Sequence, residues 1–231
     1  MSAGLLQNID KFIVKRMIDI QSGKSIVPLQ SGATVIFHIL PISAFTLNFQ
    51  HNMSELAKLD QIFLPKKYRF TSWQRKIVLE GFLGSDDSRN HTGRYDLIFR
   101  NGIFESVTVF PPKEFVGTEF QCVIGSQYLE DFLIDDTNRF FEILKTLGFT
   151  PPFVLSLTII GLSGYYFGAS RQKIYPFDRD HIQLKSGLIE SFDAKVESVL
   201  KDLFDPLWHS CGLQGSENFN EAGERRLALP F

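Results

Sequence analysis

Glu80, Asp96, Glu105 and Asp205 are the carboxylates that could do chemistry in this 231-residue chain. A metal-dependent nuclease or nucleotide hydrolase needs several carboxylates converging, because a divalent cation must be held while a phosphate is attacked. Asp96 and Glu105 fall in two apolar segments, Arg94 to Arg100 and Ile103 to Phe110, that flank Asn101-Gly102. Asn-Gly is the preferred pair for a two-residue type I′ hairpin turn. That register puts Asp96 and Glu105 on one face with Arg94 and Arg100, and sets Phe99 across from Phe104. It also brings Arg100 diagonal to Glu105, within salt-bridge reach. Arginines among carboxylates favour ion pairs over a cation site. The catalytic candidates are therefore Asp96, Glu105 and Glu80, and no metal is expected.

The other chemistry-bearing residues each have a plainer reading. Arg100 and Asn101 at the hairpin tip could present a guanidinium to an anion or a partner, or simply form a tight turn. His38 lies inside an apolar strand with no local partner, where a hydrogen-bonded core histidine is the commoner case. Trp208 lies on a helical apolar stripe, and its indole N–H needs an acceptor. Lys66, Lys67, Arg69 and Arg75 form a basic cluster that reads as a nucleic-acid patch or as a solvated face. A net charge of −2 gives no whole-domain field to attract nucleic acid. Walker A, G-x-G-x-x-G, G-x-S-x-G and H-E-x-x-H patterns are all missing. Gly161, Gly164 and Gly168 follow a strand at the wrong spacing for a phosphate loop and read as bends.

Two cysteines, Cys122 and Cys211, sit in no C-x-x-C or Cys/His pattern, so neither a disulfide framework nor a structural zinc is expected. No cofactor is expected either. No apolar run reaches the ~18 residues of a membrane span, and the first residues lack a basic segment followed by an apolar one. The expected location is the cytoplasm.

These residues must be positioned by an α+β fold: a mixed, largely antiparallel sheet with the Asn-Gly hairpin, packed by N-terminal, central and C-terminal helices. A helix capped by Ser2 carries Leu5, Leu6, Ile9, Phe12, Ile13 and Met17 on one stripe, with Lys11, Lys15 and Arg16 elsewhere, and stops at Gly23. This 1–23 helix suits docking on its own domain or on a partner. Ala33 to Leu40 reads as a buried strand ended by Pro41, Met53 to Phe63 as a helix, Lys76 to Leu83 as a strand, and Gly84 to Gly93 as a loop. Ser126 caps a helix reaching Leu147, where Asp135-Asp136 offers a splitting point. Phe153 to Gly161 reads as a strand buried on both faces. Ile182 to Leu184 is a short strand. Val196 to Cys211 has the cleanest helical pattern, bent at Pro206. Residues 213–231 read as a loop-like or partly disordered tail, and residues 1–231 as one domain.

In this order the pieces resemble a known group. They are the helix with Phe12 and Arg16, the strand His38-Ile-Leu-Pro41, and Tyr95-x-x-x-Phe99-Arg100-Asn101-Gly102-Ile103-x-Glu105. Gly148-Phe-Thr-Pro-Pro152, Asp205-x-x-Trp208, Gly212 and Ser216-x-Asn218-Phe219 complete the set. The pattern is similar to the C-terminal region of bacterial Schlafen/AlbA-type DNA-binding or ATP-binding proteins, without their N-terminal AlbA-like domain. The resemblance implies a protein partner or AlbA-like domain that does the nucleic-acid or nucleotide binding, and it adds Asn218 to the ligand or partner candidates Arg100, Asn101, His38 and Trp208. Three functions stay open: a non-catalytic interaction or regulatory module, possible in a defence setting; a Schlafen-like nuclease or nucleotide hydrolase; and a protein that binds nucleic acid directly.

Overall fold

The computed structural model describes residues 3–47, 50–58, 73–86, 92–112, 114–116, 119–170 and 173–226. Ser2, the helix beyond residue 58, the basic residues Lys66, Lys67 and Arg69, and positions 227–231 of the tail lie outside them. Helix α1 (Ala3–Gln21) leads into β1 (Ala33–Pro41), short helices α2 (Ser43–Thr46) and α3 (Met53–Ala57), then β2 (Trp73–Ile77), β3 (Gly81–Asp86), β4 (Arg94–Phe99) and β5 (Phe104–Phe110). Strands β6 (Glu114–Val116) and β7 (Glu119–Gly125) precede the long helix α4 (Ser126–Thr146). Then come β8 (Phe153–Ile160), β9 (Tyr165–Ser170), β10 (Lys173–Pro176), β11 (His181–Lys185) and α5 (Val196–His209). The architecture is α+β.

Seven strands form one antiparallel sheet in the order β11-β8-β1-β5-β4-β3-β2, and β10-β9-β7-β6 form a second sheet whose β7–β9 pair is parallel. Strands β1 and β8 are apolar on both parities because both faces of the large sheet are covered. On one face Ile36, Leu40, Tyr95, Leu97, Val107 and Val154 pack with Ile9, Ile13 and Ile20 of α1. On the other, Val35, Phe37, Ile98, Phe104, Leu155 and Leu157 meet α4 and α5 in the larger core. Helix α1 thus docks on its own sheet. Among the described residues no helix is long and apolar enough to cross a membrane.

Several elements differ from expectation. Lys76 to Leu83 is not one strand: residues 78–80 turn, and Val78 and Gly81 exchange backbone hydrogen bonds. Gly84 to Asp86 continue β3 because all three pair with β2, and Gly84 and Ser85 also pair with β4. Helix α4 is not split at Asp135-Asp136, and α5 runs through Pro206. Strands β7, β9 and β10 carry too little alternation to be read from sequence.

The hairpin register also differs. Ile98 pairs with Phe104, the Gly102 N–H donates to the Phe99 carbonyl, and the Phe99 N–H donates to the Ile103 carbonyl. The loop therefore has three residues, 100–102, with Gly102 at φ +85°, the three-residue alternative to the two-residue turn. One residue of slip exchanges the faces of β5 relative to β4. Asp96 and Glu105 consequently point to opposite sides of the sheet.

Gly102 has a second constraint, since a Cβ there would lie 2.0 Å from Phe149 Cζ. Gly102→Ala is expected to lower stability by about 2–4 kcal/mol through combined backbone strain and overpacking. Urea unfolding of the two proteins measures it; a loss below half a kilocalorie would show that this loop is not held as described.

Candidate functional site

Glu105 lies at the centre of the first buried polar cluster. On β1, His38 is its direct cross-strand neighbour, and on β4 Leu97 is. Arg16, spaced four, three and four with Ile9, Ile13 and Ile20 along the buried stripe of α1, reaches down onto the same carboxylate. Its Nε and Nη2 donate to Oε2 and Oε1, both at 2.7 Å. Tyr95 Oη donates to Oε1 at 2.7 Å, and His38 Nε2 lies 3.0 Å from Oε2. Phe12 meets the His38 and Phe99 rings edge-on, and the Arg16 guanidinium lies over Phe99. Glu105 and His38 have no exposed surface. Burial pushes the Glu105 carboxyl up, but the hydrogen bonds from Arg16 and His38 and the attraction of both outweigh it and hold the group at about 2.

The second cluster occupies the opposite face. Arg94 of β4 donates through Nε and Nη2 to Asp96, and through Nη2 to Asp136 of α4 at 2.8 Å. Arg139, one turn further along α4, donates to Asp96 at 2.7 Å and to Asp136 at 2.8 Å. Ser106 Oγ adds a 2.8 Å bond to Asp96. The two guanidinium groups lie over Phe132 and Phe140. Burial opposes ionisation of both carboxyls. Asp96, with Arg94, Arg139 and Ser106 around it, is nevertheless held below its ordinary range, whereas Asp136 is driven above it by burial and the facing Asp96 charge. Two cations against two anions close the cluster electrically.

Glu130 of α4, fully buried, anchors a third. Trp208 Nε1 of α5 donates to it at 2.8 Å, Ser216 Oγ at 2.8 Å and Asn218 Nδ2 at 3.0 Å, and Arg225 pairs with both Glu130 and Asp131. Asp205 accepts the Ser216 N–H at 2.9 Å. The segment after α5 is loop in form, yet Phe219 is buried and bridged to Arg225.

The nominated residues thus separate. Asp96 and Glu105 are on different faces, and Glu80 is exposed in the β2–β3 turn, where its carbonyl accepts the Arg100 N–H. Arg100 does not reach Glu105; its Nε donates to the Leu79 carbonyl at 2.8 Å. Asn101 Oδ1 accepts the Ile103 N–H, and Nδ2 donates to the Ala44 carbonyl. Arg75 is on the edge strand β2, away from the clusters. His38 joins Glu105, and Trp208 and Asn218 join Glu130. Among the described residues, no group of three or more His, Cys, Asp or Glu could hold a metal ion.

Arg16, Tyr95, Arg94, Glu130, Asp136, Arg139 and Arg225 complete these clusters and were not among the candidates. Two left a trace in the sequence: Arg16 takes an apolar slot in the Ile9-Ile13-Ile20 stripe, and Glu130 follows Leu129 inside a core-facing helix. Arg225 left none, because its partners are 94 and 95 residues away. No protein-family model, curated protein or solved structure matches the chain.

Glu105→Gln strands the Arg16 charge and is expected to cost roughly 3–5 kcal/mol at neutral pH. Because the folded-state carboxyl titrates at about 2 against an ordinary 4.5, its contribution is complete above the ordinary value and is lost as pH falls towards 2. The gap between wild type and variant should therefore narrow between pH 5 and 2. Denaturation curves across that range that stay parallel would contradict the pairing.

Proposed function

We propose that this chain is a non-catalytic interaction module of the cytoplasm that works beside a nucleic-acid- or nucleotide-binding partner domain of the AlbA-like kind. The observation that carries the reading is the division of labour on α1. Its inner face is locked by Arg16 on Glu105, while its outer face leaves Val14 and Ile18 exposed by 38% and 53%. Asp10, Lys11, Lys15 and Asp19 surround those two residues on the same helix face. A small apolar centre with a mixed-charge rim suits a protein surface better than a polyanion, which would want one sign of charge.

The state of the carboxylates supports the same reading. Glu105, Asp96 and Asp136 are each engaged by arginine, and Glu130 by a tryptophan, a serine, an asparagine and an arginine. A general base or a cation ligand needs a carboxylate with open lone pairs facing substrate, and these face inward. The free thiols Cys122 and Cys211 are in keeping with a reducing compartment. The partner class follows from the resemblance to the C-terminal region of Schlafen/AlbA-type proteins.

The test titrates the purified chain into the AlbA-like domain encoded nearest to it, by calorimetry. Ile18→Glu should abolish the heat of binding without lowering the melting temperature, and Leu188→Glu, at an exposed apolar position elsewhere, should leave it unchanged. Equal binding by Ile18→Glu would remove α1 as the surface. Cleavage of labelled RNA or DNA by the wild-type chain with Mg²⁺ or Mn²⁺, absent from a folded Asp96→Asn variant, would replace the proposal with the hydrolase reading.

A further inference from the structure

The large sheet ends on a backbone edge that the fold leaves open. Strand β11 is terminal in the sheet and pairs with β8 alone. Just beyond it the Ser186 N–H donates to the Leu155 carbonyl at 3.0 Å, which fixes the phase of the ladder. Antiparallel partners exchange their N–H and C=O bonds at every second residue. Ile182 and Leu184 therefore turn their backbone groups to β8, and His181, Gln183 and Lys185 turn theirs away from the sheet. Among the described residues nothing bonds these outward groups, and all three residues are exposed.

A row of alternating donors and acceptors at strand spacing is complementary to another extended strand. Native edges are guarded by lysine, by proline or by a bulge. Strand β11 contains no proline, and its single lysine, Lys185, has its ammonium group engaged by Asp10 of α1. The side chains then decide which strand fits. On one side of β11 Ile182 is buried and Leu184 half-buried against the larger core; on the other are His181, Gln183 and Lys185. Laid antiparallel against a second copy of itself, β11 has one register in which every outward residue meets an outward residue, the one centred on Gln183. His181 then faces Lys185 of the second copy, and Gln183 faces its own equivalent. The same register sets Ile182 against Leu184 of the second copy, an apolar cross-strand pair. It brings together two Gln183 amides, each with a donor and an acceptor, and holds the two Lys185 side chains at opposite ends of the contact.

We propose that β11 is a homodimerisation edge, where a second copy of this chain adds its own β11 antiparallel about Gln183 and continues the sheet across a two-fold axis. The contact uses the same patch on both copies, so it closes at two chains and does not propagate. One short strand is a small interface, which makes the dimer a reversible one that forms at micromolar or higher concentration. It is independent of the outer face of α1.

The experiment is sedimentation velocity of the full chain from low-micromolar to near-millimolar concentration, where the monomer should give way to a dimer. Gln183→Pro removes an outward donor and no bond to β8, a substitution that an edge position tolerates. It should weaken the dimer by about ten-fold or more and leave the melting temperature unchanged. Gln183→Glu and Gln183→Lys each set like charges against each other at the axis, so each variant alone should sediment as a monomer. Mixed in equal amounts, the two should restore the dimer, which happens only if position 183 faces its own equivalent. Ile18→Glu, on α1, should dimerise as wild type does. A monomer at every concentration, a dimer undiminished by Gln183→Pro, a mixture of the charge variants that stays monomeric, or a dimer lost in Ile18→Glu would each overturn the proposal.

Discussion

A carboxylate with no exposed surface has to be answered by donors, and the way Glu105 is answered organises this molecule. Its partners come from three different elements: Arg16 from α1, His38 from β1 and Tyr95 from β4. None is adjacent to another in sequence. The bidentate geometry of a guanidinium on a carboxylate fixes orientation as well as distance. Sliding α1 along the sheet by one turn moves Arg16 by ~5.4 Å and leaves two buried charges unpaired. Apolar contacts of Ile9, Ile13 and Ile20 would tolerate such a slide far better. The ion pair therefore selects the docking register of a helix that greasy contacts alone would hold loosely.

The same solution is used on the opposite face and again behind α4. The Arg94, Asp96, Asp136 and Arg139 cluster ties the middle of α4 to β4, which is why acidic residues that look like a helix breaker sit in an unbroken helix. Glu130 collects α5 and the chain that follows it. Buried ion pairs of this sort contribute little net stability against well-packed apolar residues, but breaking one partner is costly. Their effect is to penalise every arrangement except one. With so many phenylalanines in the larger core, a chain that packed by hydrophobicity alone would have near-equivalent alternatives.

How much of this was legible in the residues depended on whether the signal was local. Helices α4 and α5 and strands β1 and β8 were readable because apolar period or continuous apolarity carries them. The hairpin was readable, but its register was not: Asn101-Gly102 serves a two-residue or a three-residue loop, and Phe149, which packs where a Cβ of Gly102 would sit, lies 47 positions further on. That single ambiguity put Asp96 and Glu105 on the same face and made a cation site conceivable. His38, Trp208 and Asn218, read as ligand or partner candidates, each bond a buried carboxylate far along the chain. Arg16 is buried on the inner face of α1 with Ile9, Ile13 and Ile20, whereas the apolar stripe read from the sequence leaves it elsewhere on the helix.

The order β11-β8-β1-β5-β4-β3-β2 has a temporal meaning. Strand β1 occupies an interior position, and both of its neighbours are made much later, β5 some 70 residues on and β8 about 120. The closing contacts are as distant, 89 residues from Arg16 to Glu105 and 95 from Glu130 to Arg225. A sheet whose interior strand waits for partners this distant closes late, although β2 to β5 pair as successive hairpins. During synthesis α1 and β1 have no completed sheet to cover, and their apolar faces stay open until β5 and β8 have left the ribosome.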